Sequence, residues 1–161
     1  MSKGKNSTRR GERALAFQIL YGLSFTPAQD EDALRHAYWQ SPDNADRDPS
    51  MDDATPPEGF AWELILGVWQ QETALDAVVA RFSRNWRVDR IGRIELTLLR
   101  LGLYEMLFRQ DVPTKVAINE ALELAKQFGE QSARPFVNGI LDSVARAMDS
   151  GENVLSSENA E

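Results

Sequence analysis

Lys3, Lys5, Arg9, Arg10 and Arg13 fall within the first thirteen residues, opposed by a single acid, Glu12. Cations clustered this way pair with phosphate oxygens, and the residues that follow add the means to meet a base. On a helix turning about 100° per residue, Arg10, Ala14, Phe17, Tyr21 and Phe25 share one side, with Gln18 close by. Tyrosine and phenylalanine stack on an unpaired base, and the Gln18 amide can hydrogen-bond its edge. That set suits single-stranded RNA, whose bases are free to stack, better than duplex DNA. The same three aromatics could instead pack against a neighbouring helix and leave the arginines in water; spacing does not choose between these readings. Phe136 poses the same question near the other end. It lies about 100° round from the centre of a stripe formed by Val137, Ile140, Leu141 and Val144, where rings serve as half-buried packing or as stacking platforms.

Bond-making chemistry finds little to work with. His36 is the only histidine and cysteine is absent, so neither a disulfide nor a thiolate metal site can form. His36 adjoins an acidic stretch and reads as a surface residue. Gly92 and Gly102 are not followed by a lysine at the spacing of a phosphate-binding loop. Glu95, Glu105 and Glu120 stand in strongly apolar sequence, where ion pairs with Arg100, Arg93 or Lys115 are the expected use rather than a catalytic pair of carboxylates. No catalytic residue, metal site or cofactor is expected, and the chain does not read as an enzyme.

The charge distribution supports a binding role. A net charge of −7 would repel nucleic acid if it were spread evenly. Residues 1–13 instead carry a net +4, while residues 30–58 hold nine acids against two arginines and residues 149–161 hold four acids and no base. The remainder balances. An anionic partner is therefore expected at the first thirteen residues.

The elements that must position these residues are helices. Ser7 or Thr8 can cap a first helix running to about Ser24, with Thr26-Pro27 as its stop and Ala16, Ile19, Leu20 and Leu23 as its core stripe. Residues 28–40 suit a short helix burying Leu34 and Tyr38 or Trp39. Residues 41–58, where Pro42, Pro49, Pro56 and Pro57 stand among aspartates, are a loop with too little apolar surface to fold itself. One long helix is expected over 58–82, then a break at 83–90. A helix from Ile91 to Phe108, apolar nearly all round, reads as central and buried. Two more follow, one ending at Gly129 and one carrying Val137 to Met148. No alternating strand pattern appears, so the class is all-α. With 161 residues a single domain is expected over 1–148, with 1–7 a flexible basic arm and 149–161 an acidic disordered tail. The basic start followed by the apolar run Ala14–Phe25 imitates a secretory signal, but Gln18 interrupts it and no small-x-small cleavage site follows. No stretch approaches the roughly 18 apolar residues of a membrane span, so a cytoplasmic protein without membrane contact is expected.

Four segments, in order, together resemble the NusB family of bacterial transcription antitermination factors. They are Arg9-Arg10 to Arg13 with Ala16, Gln18, Leu20 and Tyr21; Val88-Asp89-Arg90 through Leu98-Leu99-Arg100-Leu101-Gly102-Leu103-Tyr104-Glu105; Val112-Pro113-Thr114-Lys115-Val116-Ala117-Ile118-Asn119-Glu120-Ala121 to Ala125-Lys126-Gln127-Phe128; and Phe136-Val137-Asn138-Gly139-Ile140-Leu141-Asp142. The acidic loop and the tail fall outside the resemblance. It implies about seven helices in two packed three-helix sub-bundles, binding of the boxA element of nascent RNA, notably ribosomal RNA, and partnership with the small-subunit ribosomal protein that acts as NusE in an antitermination complex on RNA polymerase. It leaves room for a homodimer. Position by position it places Arg9, Arg10, Arg13, Gln18, Tyr21 and Phe136 at RNA, with Lys3 and Lys5 extending the arm. The same fold serves some ribosomal-RNA methyltransferases as an RNA-binding domain, but this length leaves no room for their cofactor-binding domain. A helical adaptor that binds only proteins is the alternative.

Overall fold

Thr8 begins the first helix, and its hydroxyl accepts a hydrogen bond from the Gly11 amide at 3.0 Å, satisfying a donor that the first turn would leave open. The computed structural model describes residues 8–155 except 45, 49, 51, 52 and 85. The expected arm at 1–7, with Lys3 and Lys5, and the last six residues of the expected tail lie outside the described residues. Seven α-helices and no strand are present among the described residues. The chain divides at Gly67 into two compact units.

The first unit holds α1 (Arg9–Leu23), α2 (Glu31–Trp39) and most of α3 (Phe60–Gln70). Asp30 caps α2 by accepting from the Ala33 amide at 2.8 Å. The start of α3 is capped from a distance: Glu12, on α1, accepts from the Ala61 amide at 2.8 Å. Gly59 precedes that turn at φ 110°, a conformation that favours glycine. Ala16, Phe17, Leu34, Ile65 and Leu64 are almost wholly buried, and the Tyr38 ring meets Trp62 edge to face at 5.6 Å.

The acidic segment between α2 and α3 is a loop, but a tethered one. It makes a 3₁₀ turn at Pro42–Asn44, and the buried Asn44 amide donates to the Tyr38 carbonyl at 2.7 Å. The Trp39 indole donates to the Thr55 carbonyl at 2.9 Å, and Asp53 meets His36 Nδ1 at 2.8 Å while pairing with Arg47.

The second unit holds α4 (Glu72–Phe82), α5 (Arg93–Phe108), α6 (Thr114–Phe128) and α7 (Ala133–Asp149). The single helix expected over 58–82 is two helices, α3 and α4, separated at Gln71, whose φ of −104° and ψ of 14° interrupt the helical backbone. Neither glycine nor proline marks that break. The expected central helix is α5, with Leu98, Leu99, Leu101 and Leu103 essentially inaccessible. At Gly102 a side chain would meet Leu141 Cδ1 at 3.0 Å and Ala121 Cβ at 3.3 Å, so α5, α6 and α7 come together over a hydrogen atom.

Arg100 does not pair with the glutamates of the flanking apolar sequence. Its Nε and Nη2 donate to the two carboxylate oxygens of Asp76 on α4, both at 2.8 Å, with Glu72 at 3.7 Å. Burial pushes the guanidinium pKa down, but the Asp76 hydrogen bonds and charge outweigh it, so Arg100 is held more firmly protonated than usual. Residues 150–155 beyond α7 are anchored: Arg81 pairs with Glu152 and donates to the Val154 carbonyl at 3.2 Å, and Val154 is buried. Among the described residues no helix is long and apolar enough to cross a membrane.

Candidate nucleic-acid interface

The Thr8 cap sets the phase of α1, and that phase sorts its arginines. Arg9 and Arg10 are exposed at the first turn, whereas Arg13 is 4% exposed. The Arg9 guanidinium carbon lies 4.2 Å from the centre of the Phe60 ring, and that of Arg13 lies 5.1 Å from the same ring. Both distances are those of cation–π contacts, which hold a long, mobile side chain in place. Glu12, the one acid among the basic residues, accepts from the Ala61 amide of α3. The chain thus presents positive charge at Arg9 and Arg10 and keeps Arg13 inside.

Behind the arginines, Phe17, Tyr21 and Phe25 form a row at helical spacing. Phe17 and Tyr21 stack at 5.9 Å and 5°, and Tyr21 meets Phe25 edge to face at 5.2 Å. The ambiguity of the sequence is resolved residue by residue. Phe17 is core at 2% exposure, Tyr21 is half-buried, and Phe25 is 55% exposed. Gln18 is exposed beside them. A base could therefore reach Tyr21 and Gln18, but not Phe17.

A groove of about 750 Å³ in the first unit is lined by Arg9 and Phe60, and also by Glu12, Asp43 and Glu58. Those carboxylates make it a poor seat for phosphate. Tyr38 also lines it; burial, then Glu12 and Asp43, push the phenol pKa up, so the hydroxyl keeps its proton.

Phe136 belongs to the second unit, in the first turn of α7. It is half-buried at the rim of the helix face, as its phase predicts. Its ring meets Trp86 at 6.1 Å and 82°. Trp86 and Glu12 are functional-looking residues that helical periodicity does not find; Phe60 opens the apolar stripe expected over 58–82, but its contact with two arginines is visible only in the structure. Trp86 lies outside any helix, although its position between Arg84 and Arg87 is a basic–aromatic pattern readable in sequence. Of the expected contacts, Arg9, Arg10, Arg13, Gln18 and Tyr21 share α1. Among the described residues no group of three or more potential ligands could hold a metal ion. His36 is engaged with Asp53.

The arrangement has relatives. The model of the NusB family matches residues 10–146. The chain is 62% identical over 154 residues to the transcription antitermination protein NusB of Desulfovibrio desulfuricans, covering 94% of this chain and 93% of that protein. The fold is similar to that of T. maritima NusB, with a TM-score of 0.67 and 29% identity over 87% of this chain and 92% of that one. It is also similar to a chain in the crystal structure of the antitermination factors NusB and NusE in complex with double-stranded RNA. There the TM-score is 0.66 at 22% identity, covering 86% and 96%, and the likeness speaks to fold alone.

Proposed function

The chain belongs to the NusB family, and we propose that it acts as a transcription antitermination factor by binding the single-stranded boxA element of nascent RNA together with the ribosomal protein NusE. The observation that carries this reading is the first turn of α1. Arg9 and Arg10 stand exposed there, in a chain whose net charge is −7, and Glu12 accepts a hydrogen bond from the Ala61 amide at the start of α3. Arg9 and Arg10, extended by Lys3 and Lys5, take the phosphates. Arg13, buried over Phe60, gives the start of α1 its shape and reaches RNA only if the strand enters against that ring. Tyr21 stacks on a base, Gln18 reads a base edge, and Phe136 supplies a further ring. That a chain of similar fold occurs in a complex of NusB and NusE with double-stranded RNA supports RNA and NusE as the partners, and the half-buried Tyr21 and exposed Gln18 favour an unpaired strand. RNA polymerase carrying its transcript is the setting, which puts the chain in the cytoplasm. Binding and partner choice do the work, with no chemical step.

The test is salt dependence. For single strands the log–log slope is about −0.7 per neutralised phosphate, so Lys3, Lys5, Arg9 and Arg10 predict about −2.8. Replacing all four with glutamine keeps the Thr8 cap and should make the slope shallower by about 2.8 while the circular dichroism stays helical. An unchanged slope removes the arm from the interface. NusE binding should strengthen when RNA is present, and by linkage RNA binding should strengthen by the same factor when NusE is present. NusE binding that ignores RNA would favour an adaptor that works on proteins alone.

A further inference from the structure

We propose that Trp86 is a base-contacting residue, forming with Phe136 a two-ring seat for one unpaired base. The proposal rests on the RNA-binding reading above and extends it to a residue and a segment that reading does not use. Trp86 leaves 53% of its surface in solvent, the largest side chain so exposed among the described residues. An edge-to-face pair covers one face of one ring only, so the Trp86–Phe136 contact at 6.1 Å leaves ring surface open for a third aromatic.

The indole is not loose. The buried Ser83 hydroxyl donates to the Trp86 carbonyl at 2.6 Å, and the Trp86 amide donates back to the Ser83 carbonyl at 3.3 Å. Between them Arg84 takes φ 55°, a left-handed conformation that residues with a side chain seldom adopt. Ser83 and Trp86 are thus tied to each other by two hydrogen bonds, and the ring that Trp86 carries is left exposed. Packing alone would not require this, because a tryptophan serving the core would be covered.

Charge identifies the occupant. Arg84, Arg87, Arg90 and Arg93 are exposed within ten residues that hold one acid, Asp89, which pairs with Arg87 at 3.0 Å. A stacking platform among cations is how single-stranded nucleic acid is held without regard to sequence, whereas an apolar peptide would gain nothing from the arginines.

The experiment compares wild type, Trp86→Leu and Trp86→Phe against two probes, a twelve-nucleotide single-stranded RNA carrying boxA and an abasic strand of equal length. Trp86→Leu should bind the RNA at least about five-fold more weakly, with the salt slope unchanged, because stacking releases no counterions. It should bind the abasic strand like wild type. Trp86→Phe should stay close to wild type in affinity yet lose the part of the RNA-induced fluorescence quench that the indole provides. That fluorescence difference, read on a ring-for-ring exchange, stands even if the leucine variant folds poorly. RNA affinity indifferent to Trp86→Leu, an equal loss on the abasic strand, or a quench identical in wild type and Trp86→Phe overturns the proposal. Retained RNA binding with weakened NusE binding also overturns it and assigns the rings to a protein surface. A wild-type protein that binds neither probe defeats the RNA-binding reading as well, a result distinct from any in which Trp86 alone is indifferent.

Discussion

The two units put arginine beside aromatic rings in opposite ways. In the first, the guanidinium groups of Arg9 and Arg13 lie on the Phe60 ring, and the ring's partner is charge. In the second, Phe136 meets Trp86 ring to ring, and the arginines of the neighbouring segment are exposed. A cation over a ring is positioned, whether it is withdrawn, as Arg13 is at 4% exposure, or left in solvent, as Arg9 is. A ring against a ring leaves one aromatic surface open and does not draw on the neighbouring cations. The same residue types thus make an ordered clamp in one case and an open platform in the other, and composition alone does not distinguish them.

The comparison turns on which arginines the fold depends on, and the largest expected effect tests that. Asp76→Ala leaves Arg100 partly buried without its two-point acceptor, and denaturant titration should show a loss of about 2–3 kcal/mol. Arg87→Ala removes an exposed pair and should change stability by no more than about 0.5 kcal/mol. Equal effects would mean that the arginines near Trp86 belong to the scaffold. In the first unit, Phe60→Leu keeps apolar volume but removes the π face under two arginines, for an expected loss of about 1–2 kcal/mol. RNA affinity should fall further than that loss explains, because Arg9 is released from its position. A variant that is destabilised yet binds RNA as wild type does would separate Phe60 from the clamp.

Much of this was open to inspection in the sequence, for local reasons. The α1 boundaries follow from Thr8 and Thr26-Pro27, and α5 from an apolar run that no surface helix would carry. The break at Gln71 has no such mark. Val68 and Leu75, seven residues apart, keep the helical stripe in phase across it. The partner of Arg100 is equally silent, since Asp76 lies 24 residues away and pairs only once α4 and α5 are packed. The site divides along the same line. The arm and Tyr21 are written in a helical pattern, whereas Phe60 and Trp86 matter through ring contacts that exist only in three dimensions.

The acidic loop is the clearest case of a segment whose composition suggests one behaviour and whose contacts suggest another. It lacks a core of its own, yet the buried Asn44 amide donates to the Tyr38 carbonyl, beside the Ser41 backbone amide. Replacing residues 43–55 with a short glycine–serine linker should cost about 1–2 kcal/mol, and Asn44→Ala alone should reproduce most of it. A linker variant as stable as wild type would make the tether incidental and return the loop to a passive connection.

The smallest effect is a dependence on acid confined to that tether. Partial burial pushes the Asp53 carboxyl upward, but the hydrogen bond with His36, the charge of Arg47 and the further bonds from Gln40 and Arg47 together bring it below its ordinary value of 3.8. A carboxylate with a lowered folded-state pKa favours the tethered state above its unfolded pKa, and that contribution disappears as pH falls through the folded value. Asp53 faces His36, Gln40 and Arg47, so acidification below 3.8 removes the shared acceptor of all three at once. Amide hydrogen exchange in the loop, corrected for the intrinsic pH dependence, should rise over that acid range before exchange in α5 does. Asp53→Asn should abolish this early step and show faster loop exchange at neutral pH. Loop exchange that tracks α5 at every pH, in both proteins, would show that the ties to α2 do not set the loop's mobility and that the loop opens only in the transition that also opens α5.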